Sequence, residues 1–241
     1  MFYKLTNGQK KRRNMRSAMT DEQRREKCQA ILGAALKLFR KKTFSDIRMA
    51  DIAQQVNISK GTLFNYYNTK ENIFMDLLLT GYQIYFEELD QKITKISHLS
   101  INEFKFLLLE ESKLLIKQHR VILRLNALRE SVLEARADMS QTIEGRLKLN
   151  EIVLHLGKTI AERVDEVEPK EAGHLLIMQS AILSGVLNMS NLDKFDQHKI
   201  GKRLETFRLD FESEAIQAFE LYLNGLFFKS EGKRNNEINK Y

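Results

Sequence analysis

Residues 59–67, SKGTLFNYY, gather side chains whose chemistry suits a nucleic acid. Lys60 and Asn65 can reach base edges, Thr62 can meet a thymine methyl, and Ser59 or Tyr67 can hydrogen-bond a phosphate. Gly61 adds no side chain and leaves room for a sugar-phosphate backbone to approach. The same residue types would also suit an ordinary helix with a solvated polar face. Their spacing becomes informative only if a rigid element presents them together, so the surrounding pattern decides.

Residues 49–68, MADIAQQVNISKGTLFNYYN, supply that element. Ile52, Val56, Ile58, Leu63 and Tyr66 are apolar anchors, and Ala53 is small where a second helix would cross. Asn57 stands at the turn, where a positive φ is wanted and Asn is a common non-glycine solution. Two short helices meeting at a steep angle need these features. The arrangement is a helix-turn-helix, whose second helix enters the major groove of DNA. Ahead of it, Thr20 to Gln23 reads as a capping box, and Ile31, Leu32, Ala35, Leu38 and Phe39 form one helical stripe.

The rest of the chain reads as helices too. With one Pro and eleven Gly in 241 residues there is little turn chemistry for a β fold, so an all-α protein of about nine helices is expected. The periodicity predicts helices over 70–95, 101–118, 120–136, 139–164, 169–190 and 203–228. Thr69 and Ser100 stand as N-caps, and a polar connection falls near 188–198. Helix 101–118 is apolar around nearly its whole circumference, which predicts a central position in a bundle. Residues 1–20 form a basic arm expected to be flexible, with Lys10 to Arg16 available for phosphate or minor-groove contacts. Residues 229–241 read as a polar tail.

Charge is unevenly placed. Residues 1–70 hold 16 Lys and Arg against 5 Asp and Glu, a net +11, so the remainder carries −4 of the total +7. A basic unit on a mildly acidic body implies an anionic polymer bound at one end. Cys28 is the single cysteine and cannot form an internal disulfide, which suits a reducing cytoplasm. No run of about 18 apolar residues is evident, so no membrane span is expected. No apolar segment follows the basic start, so no signal peptide is expected. Five scattered His, no glycine-rich phosphate loop and no nucleophile motif argue against an enzyme, a metal site or a bound cofactor.

Residues 27–75 resemble the N-terminal three-helix domain of TetR-family transcriptional regulators. The resemblance rests on Ile31-Leu32, Ala35, Leu38-Phe39, Ile52-Ala53, the run Val56 to Tyr67, and Thr69-Lys70-Glu71. It implies that Ser59, Lys60, Gly61, Thr62, Asn65 and Tyr66 belong to the recognition helix and its start. It also implies a phosphate contact from Lys70 and a backbone or base contact from Arg48. Thr43 stands where a glycine is usual, and Phe64 where tyrosine is common. Arg48-Met49 replaces a Thr pair, so capping of that helix is expected to pass to Ser45 or Asp46.

The resemblance further implies three units after the arm: 21–70 binds DNA, 71–228 binds an effector and dimerises, and 229–241 is the tail. Helices 169–190 and 203–228 carry more apolar residues than one core face needs, which supports a homodimer through a four-helix bundle. The expected contacts are Leu175, Met178, Ala181, Ile182, Gly185, Phe211, Ile216, Phe219 and Leu223. For the effector, helix 101–118 offers Phe104, Leu108, Glu111 and Leu115 on one stripe. His119, Asn126, Arg129 and His155 are polar groups among apolar neighbours elsewhere. The expected function is a repressor released from palindromic double-stranded DNA by a small hydrophobic effector. The rival expectation is a DNA-binding protein whose body binds a protein partner instead.

Overall fold

A computed structural model describes residues 20–165, 167–190 and 209–238, with side chains to Phe227. The basic arm and most of the polar connection near 188–198 lie outside the described residues, as does the expected helix start at 203. Within the described residues there are nine α-helices and one π-helix, and no strand. They are α1 (Asp21–Phe39), α2 (Met49–Gln55), α3 (Lys60–Phe64), α4 (Lys70–Thr94), α5 (Ile101–Gln118), α6 (Arg120–Ala127), the π segment (Arg129–Glu134), α7 (Met139–Ala161), α8 (Pro169–Ser190) and α9 (Phe211–Ile238).

Helix starts follow local chemistry. The Thr20 and Ser100 hydroxyls accept the third-residue N–H of α1 and α5, while Gln23 and Glu103 reach back to the cap N–H, closing two capping boxes. Thr69 accepts from the Asn72 N–H at the head of α4. At α2 the expectation fails. Arg48 takes the N-cap position and its N–H donates to Asp51 Oδ2 at 2.9 Å. Ser45 and Asp46 are instead engaged by the Thr43 hydroxyl, at 2.8 and 2.6 Å. Asn57 adopts φ 56°, the left-handed conformation that the turn requires.

Helix α4 joins the two halves. At 1.5 Å per residue its 25 residues span about 38 Å. Its first turns pack on α1, where the Phe74 ring lies 5.4 Å from Phe39 and 5.1 Å from Phe44. Its later turns pack on α6, the π segment and α7. Beyond it α7 packs on α8, α8 on α6 and α9, and α9 on α5. Two glycines permit close crossings. A Cβ on Gly81 would fall 2.8 Å from Ile122 Cγ1, and one on Gly157 would fall 2.5 Å from the Pro169 carbonyl. One buried polar chain ties three helices: the Tyr85 hydroxyl donates to Gln179 Oε1, and Gln179 Nε2 donates to the Ser112 hydroxyl.

Three further expectations are corrected. The expected helix 120–136 is two elements, because the turn after Ala127 takes i→i+5 bonds such as Leu133 N–H to the Leu128 carbonyl at 3.2 Å. Helix α5 is not central: Phe104, Leu108 and Leu115 are fully buried, but Phe106 is 66% exposed. The polar stretch after 228 continues α9 to Ile238 rather than forming a separate tail. Helix α8, with a window of mean hydropathy 1.3, is long and apolar enough to cross a membrane by length and composition. It nevertheless buries Ala172, Leu175, Leu176, Leu183 and Leu187 against its neighbours in the body.

Candidate nucleic-acid interface and effector cavity

The recognition element is short and rigidly started. Leu63 is fully buried and fastens α3 to the core beneath it. Ser59 Oγ accepts the Thr62 N–H at 3.0 Å and lies 2.8 Å from the Thr62 hydroxyl, so the first turn is braced at its surface. Lys60, Gly61 and Asn65 are exposed, and Thr62 is half-buried. The Lys60 ammonium lies 5.7 Å from the centre of the Phe64 ring, which is itself exposed. A Cβ on Gly61 would meet only the Ser59 hydroxyl, at 3.8 Å, so packing does not demand glycine there. Arg48 is exposed at the head of α2.

Three expected DNA-facing side chains sit elsewhere. Tyr66 is 9% exposed, with the Arg24 guanidinium 5.6 Å from its ring centre. Tyr67 is buried and its hydroxyl donates to Asp76 Oδ2 at 2.5 Å. Burial and the adjacent Asp76 charge push the Tyr67 phenol up, and burial raises Asp76 as well. Lys70 is used inside the fold: its ammonium donates to the Phe44 and Ile47 carbonyls, both at 2.8 Å, and lies 4.0 Å from the Phe44 ring centre. Partial burial lowers its pKa. Lys70 therefore fixes the loop ahead of α2.

The body holds a cavity of about 430 Å³, within the roughly 300–1,000 Å³ of small-molecule sites. Helix α4 contributes Leu79, Tyr82 and Phe86; α7 contributes Arg146, Leu149, Asn150 and Val153. Ile177, Ser180 and Ala181 come from α8, and Asn126 and Arg129 complete the wall. The walls are thus mainly apolar, with two arginines. Arg146 Nη1 and Nη2 donate to Glu134 Oε1 and Oε2 at 2.9 and 2.6 Å, and Arg129 Nε donates to Oε1 at 3.1 Å. The Arg146 hydrogen bonds, more than Arg129, hold the Glu134 carboxyl below its usual pKa. The Tyr82 hydroxyl is buried without a hydrogen-bond partner. The Ser180 and Ser184 hydroxyls are near enough to favour its ionised form but complete no hydrogen bond to it, and burial dominates, pushing the phenol up to about 12.

Only Asn126 and Arg129 of the eight expected effector residues line this cavity. Phe104, Leu108 and Leu115 are fully buried core, Phe104 meeting Phe227 with ring centres 6.4 Å apart. Glu111 accepts both of its bonds from Lys92 at 2.9 Å. His119 lies 3.8 Å from Glu88, and His155 is exposed 3.5 Å from Asp90. The residues that sequence reasoning missed, Tyr82, Arg146, Val153 and Ser180 among them, come from three helices and share no local signal.

The expected dimer residues also divide. Leu175, Phe211, Phe219 and Leu223 turn into the subunit's own core. Met178, Ile182 and Ile216 are half-buried, while Ala181 and Gly185 are exposed. Beside them stand Ile177, Met189 and Leu221, 56%, 63% and 66% exposed, which the sequence reading did not single out. Nothing lies within 4 Å of where a Cβ on Gly185 or Gly225 would sit.

A helix-turn-helix unit continuous with an all-helical body that holds an open cavity defines a one-component regulator, with a DNA-reading end and a sensing end. The chain matches the family profile "Tetracyclin repressor-like, C-terminal domain" over residues 82–229 and "Bacterial regulatory proteins, tetR family" over residues 31–77. It belongs to the TetR family, and it is a ligand-responsive, DNA-binding transcriptional repressor. It is 22% identical to the Fatty acid metabolism regulator protein of Bacillus subtilis over 175 residues, 71% of this chain and 90% of that one. It also superposes on the crystal structure of FadR from Bacillus subtilis in complex with stearoyl-CoA. That match has a TM-score of 0.51 and 16% identity, covering 82% of this chain and 98% of that one.

Proposed function

We propose that the effector of this repressor is a fatty acyl-CoA, whose acyl chain enters the cavity between α4, α7 and α8. The observation that carries the reading is the cavity's composition: apolar walls from Leu79, Phe86, Leu149 and Val153 with Arg129 and Arg146 at one side. An apolar chain attached to an anionic carrier matches both features. The name of the Bacillus subtilis relative, and the stearoyl-CoA in the structure whose fold this chain shares, support the same class.

Operator contact falls to Arg48, Ser59, Lys60, Gly61, Thr62 and Asn65, which share one exposed end of the molecule. Two copies join through the open faces of α8 and α9, with Met178, Ala181, Ile182, Gly185 and Leu221 at the contact. Two recognition helices on a two-fold axis suit a palindromic operator. The repressor works in the cytoplasm, beside the chromosome. A protein-binding body is disfavoured. Helix α7 does expose Met139, Ile143, Leu147 and Leu154, but it borders an open cavity rather than a closed core.

The test is a titration of the protein–operator complex, on DNA selected from a random pool, with saturated acyl-CoAs of increasing length. Burial is worth about 0.8 kcal/mol per methylene, so affinity should rise about fourfold per added carbon until the cavity is full, then level off. Release that ignores chain length, or no release by any acyl-CoA, removes the proposal.

A further inference from the structure

An anion stands at the edge of the cavity, bonded to two arginines of its wall. This is Glu134, which occupies the hydrogen-bonding edge of Arg146 with both oxygens, and Arg129 adds a third bond. Two guanidiniums and one carboxylate leave the cluster at net +1. It can accept a further negative charge, or exchange the one it has. Planar bidentate pairing is the geometry with which arginine binds any carboxylate or phosphate. The same wall holds Tyr82, whose buried hydroxyl has no partner, so a polar atom delivered into the cavity would find a waiting donor.

Glu134 is also mechanically placed. It ends the π segment, and four residues later Asp138 caps α7. Asp138 is one of the body's ties to the reading head, the bond from Arg124 to the Phe39 carbonyl being another. Its Oδ2 accepts from Asn68 Nδ2 at 3.0 Å, its carbonyl accepts from Asn72 Nδ2 at 3.0 Å, and its N–H donates to Asn72 Oδ1 at 3.2 Å. Gln141 Oε1 adds a bond from the Asn68 N–H at 3.1 Å. Asn68 follows the recognition helix by four residues. A π turn contains more residues per turn than an α turn, so a change of register there displaces whatever follows it. The body's end of the tie to the recognition helix is thus set by the segment that Glu134 anchors.

We propose that Glu134 is a built-in surrogate for the effector's anionic group. In the operator-binding state it holds Arg146 and Arg129. A carboxylate or phosphate of the effector takes its place, releases the π segment, and shifts Asp138 with its grip on Asn68 and Asn72. This rests on the effector reading above for the ligand class, while the coupling from Glu134 to the reading head stands on this chain's own contacts. Effector and operator then bind opposite states of one clasp, and each weakens the other by the same factor.

The test uses full-length E134Q, R146M and the wild type, checked for folding by thermal melts. Operator affinity is read by fluorescence anisotropy, and binding of lauroyl-CoA, laurate and uncharged dodecanol by calorimetry. E134Q should bind the operator more weakly without any ligand and lauroyl-CoA more tightly, each by about 5- to 150-fold, the usual span of coupling between sites. Opposite signs in one variant are the signature, because a merely loosened protein loses both affinities. R146M should remove the preference for the anionic probes over dodecanol. Tight laurate binding identifies a carboxylate as the displacing group, and binding of lauroyl-CoA alone identifies a phosphate. If no probe binds the wild type, the acyl-CoA reading and the surrogate role fall together; weaker operator binding by E134Q at an unchanged melting temperature then upholds only the coupling of Glu134 to the reading head. Wild-type operator affinity in E134Q overturns it.

Discussion

The reading head and the cavity are built on different length scales. In the head, polar groups find partners three residues away: Thr20 with Gln23, Arg48 with Asp51, Ser59 with Thr62, Thr69 with Asn72. Around the cavity the polar partners are mostly farther apart in sequence. Glu134 meets Arg146, Asn126 donates to the Ser184 hydroxyl, and Gln83 donates to the Gly145 carbonyl 62 residues on. A surface braced by its own turn keeps its shape when its mounting moves. A cavity whose walls come from separate helices changes shape when any one of them moves. A ligand-gated repressor needs this division: the reading surface is carried as a rigid body, and the sensing site is deformable.

The largest effect that follows is on DNA binding. Each direct base contact is worth roughly 1–3 kcal/mol, and a two-fold assembly loses every contact twice, so K60A/N65A should weaken specific operator binding about a thousandfold or more. Because both side chains are exposed, melting temperature and dimerisation should be unchanged. Electrophoretic mobility shift and sedimentation together check this. A double variant that keeps the operator, or one that unfolds, breaks the idea that the head is a locally braced surface.

Next in size is a contrast inside the body. Phe104 is fully buried against α9, so F104A should cost about 3–5 kcal/mol of stability, seen in denaturant melts, with no selective change in effector binding. V153F, on the cavity wall, should leave stability nearly intact and shorten the acyl chain that binds best. Reversal of the two phenotypes would relocate the effector site to α5.

This contrast also shows what the sequence could and could not disclose. The caps at Thr20, Thr69 and Ser100 and the left-handed Asn57 were legible because each signal lies within four residues of chain. The cavity was not. Phe104, Leu108 and Leu115 share the helical spacing of a cavity wall, and only the placement of α9 against α5 makes them core. Tyr82 reads as one more apolar position on α4 until Ser180 and Arg146 arrive from other helices. Leu175 and Met178 lie three residues apart on α8, yet one is core and the other only half-buried. The π segment was invisible because one extra residue in a turn does not register against a 3.6 periodicity.

Lys70 separates local from long-range function most finely. By position it lies next to the reading head, and by resemblance it should hold a phosphate. By geometry its charge is spent on the Phe44 and Ile47 carbonyls and the Phe44 ring, where it fastens the loop that aims α2. Hydrogen bonds from a charged donor contribute about 1.5–3 kcal/mol each, and Lys70 is only partly buried, so K70M should cost about 2 kcal/mol of stability. Operator affinity should fall less than it does for K60A/N65A, through a less well-set head. The decisive reading is the salt dependence. A lost phosphate contact lowers the slope of log affinity against log salt by about one for each subunit, whereas a lost internal strut leaves the slope unchanged. An unchanged slope with a lower melting temperature assigns Lys70 to the mounting of the head; a reduced slope at unchanged stability returns it to the DNA.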